Sequence, residues 1–114
     1  MADDKKKFGG RGIVIGFSNP SSDGADVTFA GLTPQFVASG TMSGDTPPVL
    51  MAYQIDDNAL VEIPGPYGAS SWTATIRDED CPATATMYLL TIYAWFEINK
   101  RRGISDNYRR FRRT

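Results

Sequence analysis

There is no histidine among these 114 residues. That removes Ser-His-Asp and Cys-His catalysis and every histidine-ligated metal site, because imidazole is the side chain that changes charge near neutral pH. Cysteine occurs once, at Cys81, so no intrachain disulfide can form and the secreted disulfide scaffolds are excluded. No run approaches the roughly 20 apolar residues a membrane-spanning helix needs. Behind Met-Ala-Asp-Asp-Lys-Lys-Lys there is no apolar stretch long enough for a Sec signal. The chain therefore fits the cytosol, delivery by another route, or excision from a larger protein, and localisation stays unknown. No window of useful length carries a convincing 3.6-residue period, which leaves helices without a signal.

What is present points to strands. Hydrophobic residues make up 41% of the chain, with 11 glycines and 7 prolines, which suits one globular domain with frequent turns. The organising stretch is Thr86 to Asn99. Its even positions, Tyr88, Leu90, Ile92, Ala94, Phe96 and Ile98, are apolar or aromatic, and a period of two puts them on one face of a strand. The opposite face, Met87, Leu89, Thr91, Tyr93, Trp95 and Glu97, is mixed. This predicts a central strand that the shorter segments cover.

Those segments follow in order. A polar lead-in over 1–12 is expected to be flexible. Ile13 to Phe17 reads as an edge strand, Ser18 to Ala25 as a loop of turn residues, and Val27 to Phe29 with Leu32 as a short strand. Phe36 to Met42 alternates small and apolar residues. Pro47-Pro48 opens Val49 to Ile55, whose odd positions share a face; Leu60 to Ile63 and Ser71 to Ile76 follow. In the last of these Trp72, Ala74 and Ile76 alternate with Ser71, Thr73 and Thr75, a half-buried pattern that places Trp72 in the core. Lys100 to Gly103 predicts a hairpin connection, Ile104 to Phe111 a returning strand, and 112–114 a basic tail. The expected fold over 13–111 is an all-β, antiparallel β-sandwich of about seven strands.

Several pieces together resemble bacterial immunoglobulin-like and fibronectin type III-like modules. They are Val37-x-Ser39-Gly40-Thr41-x-Ser43-Gly44, Met51-x-Tyr53-x-Ile55-Asp56, Ser71-Trp72-Thr73-Ala74-Thr75-Ile76, Tyr88-x-Leu90-x-Ile92-x-Ala94, and the hairpin from Asn99 to Gly103. The resemblance implies an immunoglobulin-like sandwich with adhesion, spacing or display roles and no catalytic residues. It also places Tyr88 at a tyrosine corner, its hydroxyl bonded to nearby backbone. Leu90 stands where antibody domains put their second cysteine, and no tryptophan lies on the third strand. Both departures point away from a true antibody-type domain and towards the looser module class.

Charge is divided along the chain. From Lys100 to Thr114, seven cations oppose Asp106, whereas from Gly12 to Asn99 Arg77 alone opposes ten carboxylates. The basic end (Arg101, Arg102, Arg109, Arg110, Arg112 and Arg113) could bind a polyanion, with Tyr108 and Phe111 stacking on bases. It could equally lie against the chain's own acidic surface, or guard Ile104 to Phe111 as an edge strand. The acidic body argues against nucleic acid as the partner.

Other candidates are weaker. Asp56-Asp57-Asn58 and Asp78-Glu79-Asp80 carry oxygen ligands that calcium uses, without EF-hand spacing. Carboxylate pairs run glycoside hydrolysis only inside a cleft. The three carboxylates before Cys81 disfavour its thiolate, leaving it inert. Tyr93 and Trp95 could form a stacking platform for a sugar or a partner protein, with Tyr53 or Tyr67 nearby; the alternative is that both strand faces are covered. The expectation is a non-catalytic binding, adhesion or structural module, including a place in a surface or virion assembly. No cofactor, metal or membrane insertion is expected. The alternatives are a carbohydrate-binding module using Tyr93 and Trp95, and a polyanion binder using the arginines.

Overall fold

The computed structural model describes residues 14–44, 46–98 and 101–114. The segment expected to be flexible at 1–12, the hairpin turn at Asn99 and Lys100, and the side chains of Ile98, Arg101 and Arg102 lie outside the described residues. Among the described residues eight strands occur in chain order: β1 (Ile15–Asn19), β2 (Ala25–Val27), β3 (Gln35–Met42), β4 (Leu50–Ile55), β5 (Val61–Ile63), β6 (Ser71–Arg77), β7 (Thr86–Ile98) and β8 (Arg101–Arg113). One short 3-10 turn, Asp78–Asp80, follows β6.

The strands form two sheets, ordered β1-β3-β6 and β2-β8-β7-β4-β5. Alternation assigns their faces. In β6, Trp72, Ala74 and Ile76 are buried while Ser71, Thr73, Thr75 and Arg77 are exposed. In β7 the inward set Tyr88, Leu90, Ile92, Ala94 and Phe96 is buried, at most 7% exposed. These meet Phe36, Ala38, Met42, Met51, Tyr53 and Ile55 in one core shared by both sheets. Apolar area removed from water between the sheets is the main stabilising term. Tyr88 accepts the Ala83 N–H at 2.8 Å and donates to the Ala83 carbonyl at 3.1 Å, fixing the approach to β7.

The pairing is not antiparallel throughout, contrary to expectation. β2 runs parallel to β8, with Ala25 beside Phe111 and Val27 beside Arg113. Gly24, at φ +84°, turns the chain so that its N–H donates to the Arg110 carbonyl at 2.8 Å. β8 therefore has a neighbour on both sides at Phe111–Arg113, an edge strand having been one alternative for Ile104 to Phe111, and it continues through Arg113, past the Phe111 limit read from the pattern.

The two sides of the molecule where sheet edges meet are built differently. Along β1, inward-facing residues of β8 bond its backbone: Asn107 Nδ2 donates to the Ile15 carbonyl at 2.6 Å, and Arg109 donates to the carbonyls of Phe17 and Pro20. That side is closed by side chains. Between β5 and β6 a groove remains, with a cavity of about 460 Å3 lined by Tyr53, Ile63, Ala74, Thr75 and neighbours.

Candidate functional site

The outward face of the five-stranded sheet is set by the odd residues of β7. Register brings Tyr93 beside Asp106 and Trp95 beside Ile104 on β8, and the same two beside Ala52 and Leu50 on β4. Tyr108 stands opposite Thr91. Ile104 is 54% and Tyr108 62% exposed, while Tyr93, Trp95 and Leu50 are half-buried. Ala52 and Thr91 lie on the same face yet are buried, being shorter than their neighbours. The result is an aromatic and apolar surface crossing three strands, with Asp106 exposed between Ile104 and Tyr108.

Tyr93 and Trp95 thus fall on the face expected for them. Their rings stack on each other, 6.0 Å between centroids and 29° between planes. The Tyr93 hydroxyl donates to Gln54 Oε1 at 3.0 Å, and Gln54 Nε2 donates to the Asn58 carbonyl at 2.9 Å. Each ring therefore turns part of a face to the other rather than to solvent. Tyr53 and Tyr67 do not join them. Tyr53 points into the core and donates to Asp80 Oδ2; burial, then that bond, push its phenol well above the ordinary value. Tyr67 donates to the Ile63 carbonyl. Sequence reading missed Ile104 in this surface and gave Tyr108 only a base-stacking role. The signal was available: in a tight hairpin, alternate residues of the returning strand share a face with Tyr93 and Trp95.

The arginines whose side chains are described meet the chain's own acceptors. Arg110 pairs with Asp23 at 2.5 Å, and Arg112 with Asp26 at 3.6 Å. Arg113, 9% exposed, pairs with Asp78, donates to the Cys81 carbonyl, and stacks 4.4 Å over the Phe29 ring. Arg109 lies 5.2 Å over Phe17. Hydrogen bonds from the Arg110 side chain and backbone hold the Asp23 carboxyl below its usual range. This contact is complete above the ordinary carboxylate pKa and is lost only as pH falls below it. Arg101 and Arg102 have backbone in β8, and their side chains lie outside the described residues.

The acidic clusters have internal partners too. Asp80 accepts from Tyr53 and from the Arg77 N–H, and Asp56 accepts from the Leu89 N–H. Among the described residues no group of three or more His, Cys, Asp or Glu side chains is placed to hold a metal ion, and no helix is long and apolar enough to cross a membrane. Cys81 is fully buried; burial first, then the Asp80 carboxylate, push its thiol up to about 12. In native protein at pH 8 a disulfide reagent is expected to label Cys81 roughly a hundredfold more slowly than in denaturant, at a rate set by opening of the fold. Labelling at the denatured rate would contradict this burial.

No protein-family profile matches the sequence, and no curated protein does. In shape the chain is similar to a crystal structure described as an engineered protein, with a TM-score of 0.55 and 18% sequence identity. The match covers 92% of this chain and 21% of that one, so this chain spans about a fifth of its length. At that identity the likeness bears on fold alone.

Proposed function

We propose that the chain is a non-catalytic, immunoglobulin-like binding module that docks a partner protein through the outer face of its five-stranded sheet, in an adhesion or assembly role at a surface or in a virion. The observation that carries this reading is the surface formed by Leu50, Tyr93, Trp95, Ile104 and Tyr108. Interface centres are enriched in aromatic residues, and Tyr93, Trp95 and Tyr108 supply three on this face. Support for the immunoglobulin-like type comes from the split first strand, β1 in one sheet and β2 in the other, and from the Tyr88 bond to Ala83.

A sugar platform has less support, because Tyr93 and Trp95 stack on each other and Tyr93 is tied to Gln54. Polyanion binding has less support as well, since Arg109, Arg110, Arg112 and Arg113 are held by internal partners. The test is a photo-crosslinking amino acid placed at Tyr108 in the source cell, with Val37, 45% exposed on the other sheet, as the control site. A discrete protein adduct from position 108 that is absent from position 37 is the expected result. Adducts from 37 alone, or from neither, would overturn the reading.

A further inference from the structure

The geometry points to β6 as an acceptor strand: we infer that its open edge takes up an extended segment of a partner protein, apolar at alternate positions and basic at the end that meets Asp78–Asp80. This is independent of the outer-face reading, since it uses the other sheet.

The register determines which backbone groups are available. The Met42 N–H donates to the Ser70 carbonyl and the Asp78 N–H to the Pro34 carbonyl, at the two ends of the β3–β6 ladder. Hydrogen-bonded pairs alternate in an antiparallel ladder, so Trp72, Ala74 and Ile76 face β3. The N–H and C=O groups of Ser71, Thr73, Thr75 and Arg77 consequently face away, along the groove. The Arg77 N–H donates to Asp80 Oδ2 at 3.1 Å, and among the described residues nothing bonds those of Ser71, Thr73 and Thr75.

The other sheet edges are short, capped or charged, the last being β8 from Ile104 to Arg110, which β2 does not reach and which carries Asp106, Arg109 and Arg110. β1 is capped by Asn107 and Arg109, β2 is three residues long, and β5 is three residues long and followed by Pro64 and Pro66. β6 has seven residues with neither proline nor lysine. An added strand would also cover the apolar walls of the groove, Tyr53, Ile63 and Ala74. A second cavity of about 200 Å3, lined in part by Met51 and Trp72, continues that groove.

Charge selects the occupant. Glu62 and Arg77 both lie on the groove wall, and at the end of β6 Asp56, Asp78 and Asp80 act on Cys81 with Arg113 opposing them, which leaves that end net acidic. A strand running antiparallel to β6 brings its N-terminal residue to this acidic end, so a cation belongs there. Its residues opposite Ala74 point into the groove with their N–H groups turned away, and the alternate residues bond β6.

The probe is the synthetic peptide acetyl-Lys-Val-Thr-Val-Thr-Val-Thr-amide, at about 1 mM, with amide exchange of the full chain followed residue by residue. The expected result is slowing of exchange at Thr73 and Thr75 by about tenfold, as for ligand at about ten times its Kd. N-methylation of the threonine amides abolishes the effect, whereas N-methylation of the valine amides spares it. Glutamate in place of the lysine weakens binding by roughly threefold. Thr75→Pro, which removes only an outward N–H, removes peptide binding without lowering the melting temperature by more than a few degrees. Protection confined to the Tyr93–Trp95 face, loss of binding on methylating either set of amides, or slowing at Thr73 that tracks protein concentration without peptide, as for self-pairing, would each overturn it.

Discussion

Gly40→Ala is expected to destabilise the protein by about 3 kcal/mol or more, or to prevent folding, although it adds a single methyl group. Gly40 sits in β3 between Phe17 of β1 and Trp72 of β6 in the cross-strand register. A Cβ there would overlap the Gly16 carbonyl oxygen and stand 2.5 Å from Trp72 Nε1. Backbone cannot yield that much without loss of the β1–β3 pairing, and the indole is itself fixed. Trp72 donates to the Gly16 carbonyl at 3.0 Å and meets Phe17 edge-on, 5.2 Å between centroids and 86° between planes. The Arg109 guanidinium covers the same Phe17 ring. One methyl therefore disturbs the contact among β1, β3, β6 and β8 together. For a domain of this size the melting temperature should fall by roughly 10 °C or more. Val37→Thr, exposed on the same strand, should change stability by no more than about 0.5 kcal/mol. Trp72→Phe shortens the clashing ring, so combined with Gly40→Ala it should cost less than the sum of the two single changes. A loss under about 1 kcal/mol for Gly40→Ala would show that β1 does not lie where its register places it.

Much of this fold was legible because its strands are long enough to alternate. β6 buries one parity of residues and exposes the other, and β7 buries every even residue from Tyr88 to Phe96, so their inward faces, and Trp72 and Tyr88 with them, could be read directly. What local pattern cannot carry is partnership between distant segments. β2 has three residues, too few for a period, and its parallel alignment with β8 depends on Gly24 reaching Arg110 across the chain. Similarly, composition revealed an acidic body and a basic end. That Asp23, Asp26 and Asp78 are the carboxylates which meet Arg110, Arg112 and Arg113 follows only from the folded register. Tyr53 shows the same limit on a smaller scale. Its strand partners were plain, but which side of the sheet they faced depended on the second layer. The candidate face was half legible: Tyr93 and Trp95 were placed by alternation, while Ile104 needed the hairpin register. The groove beside β6 had no sequence signal at all, being a space between two strands that do not pair.

Phe111→Ala is the second change expected to have a large effect, about 4 kcal/mol. Phe111 is fully buried and joins rings from three other parts of the chain. Phe36 of β3 and Tyr88 of β7 each lie 5.8 Å from it, and Phe29, in the loop after β2, lies 6.4 Å away. Tilted contacts of this kind add about 1 kcal/mol each beyond area burial. Neighbouring rings cannot collapse into the space, because each is tied elsewhere: Tyr88 by its hydroxyl to Ala83, and Phe29 beneath the Arg113 guanidinium. The cavity should therefore persist, and its cost adds to the lost transfer energy. The effect should also have a direction. Ala25 lies beside Phe111 in the parallel ladder, and Gly24 and Thr114 donate to Arg110 and Val27 on either side. Removing the ring should loosen β2 before it loosens β4 or β5, visible as faster amide exchange at Gly24 and Thr114 while Ile92 stays protected. Uniform acceleration at all amides would mean that β2 shares the stability of the whole fold, and a loss under about 1.5 kcal/mol would mean that the four rings do not pack as one cluster.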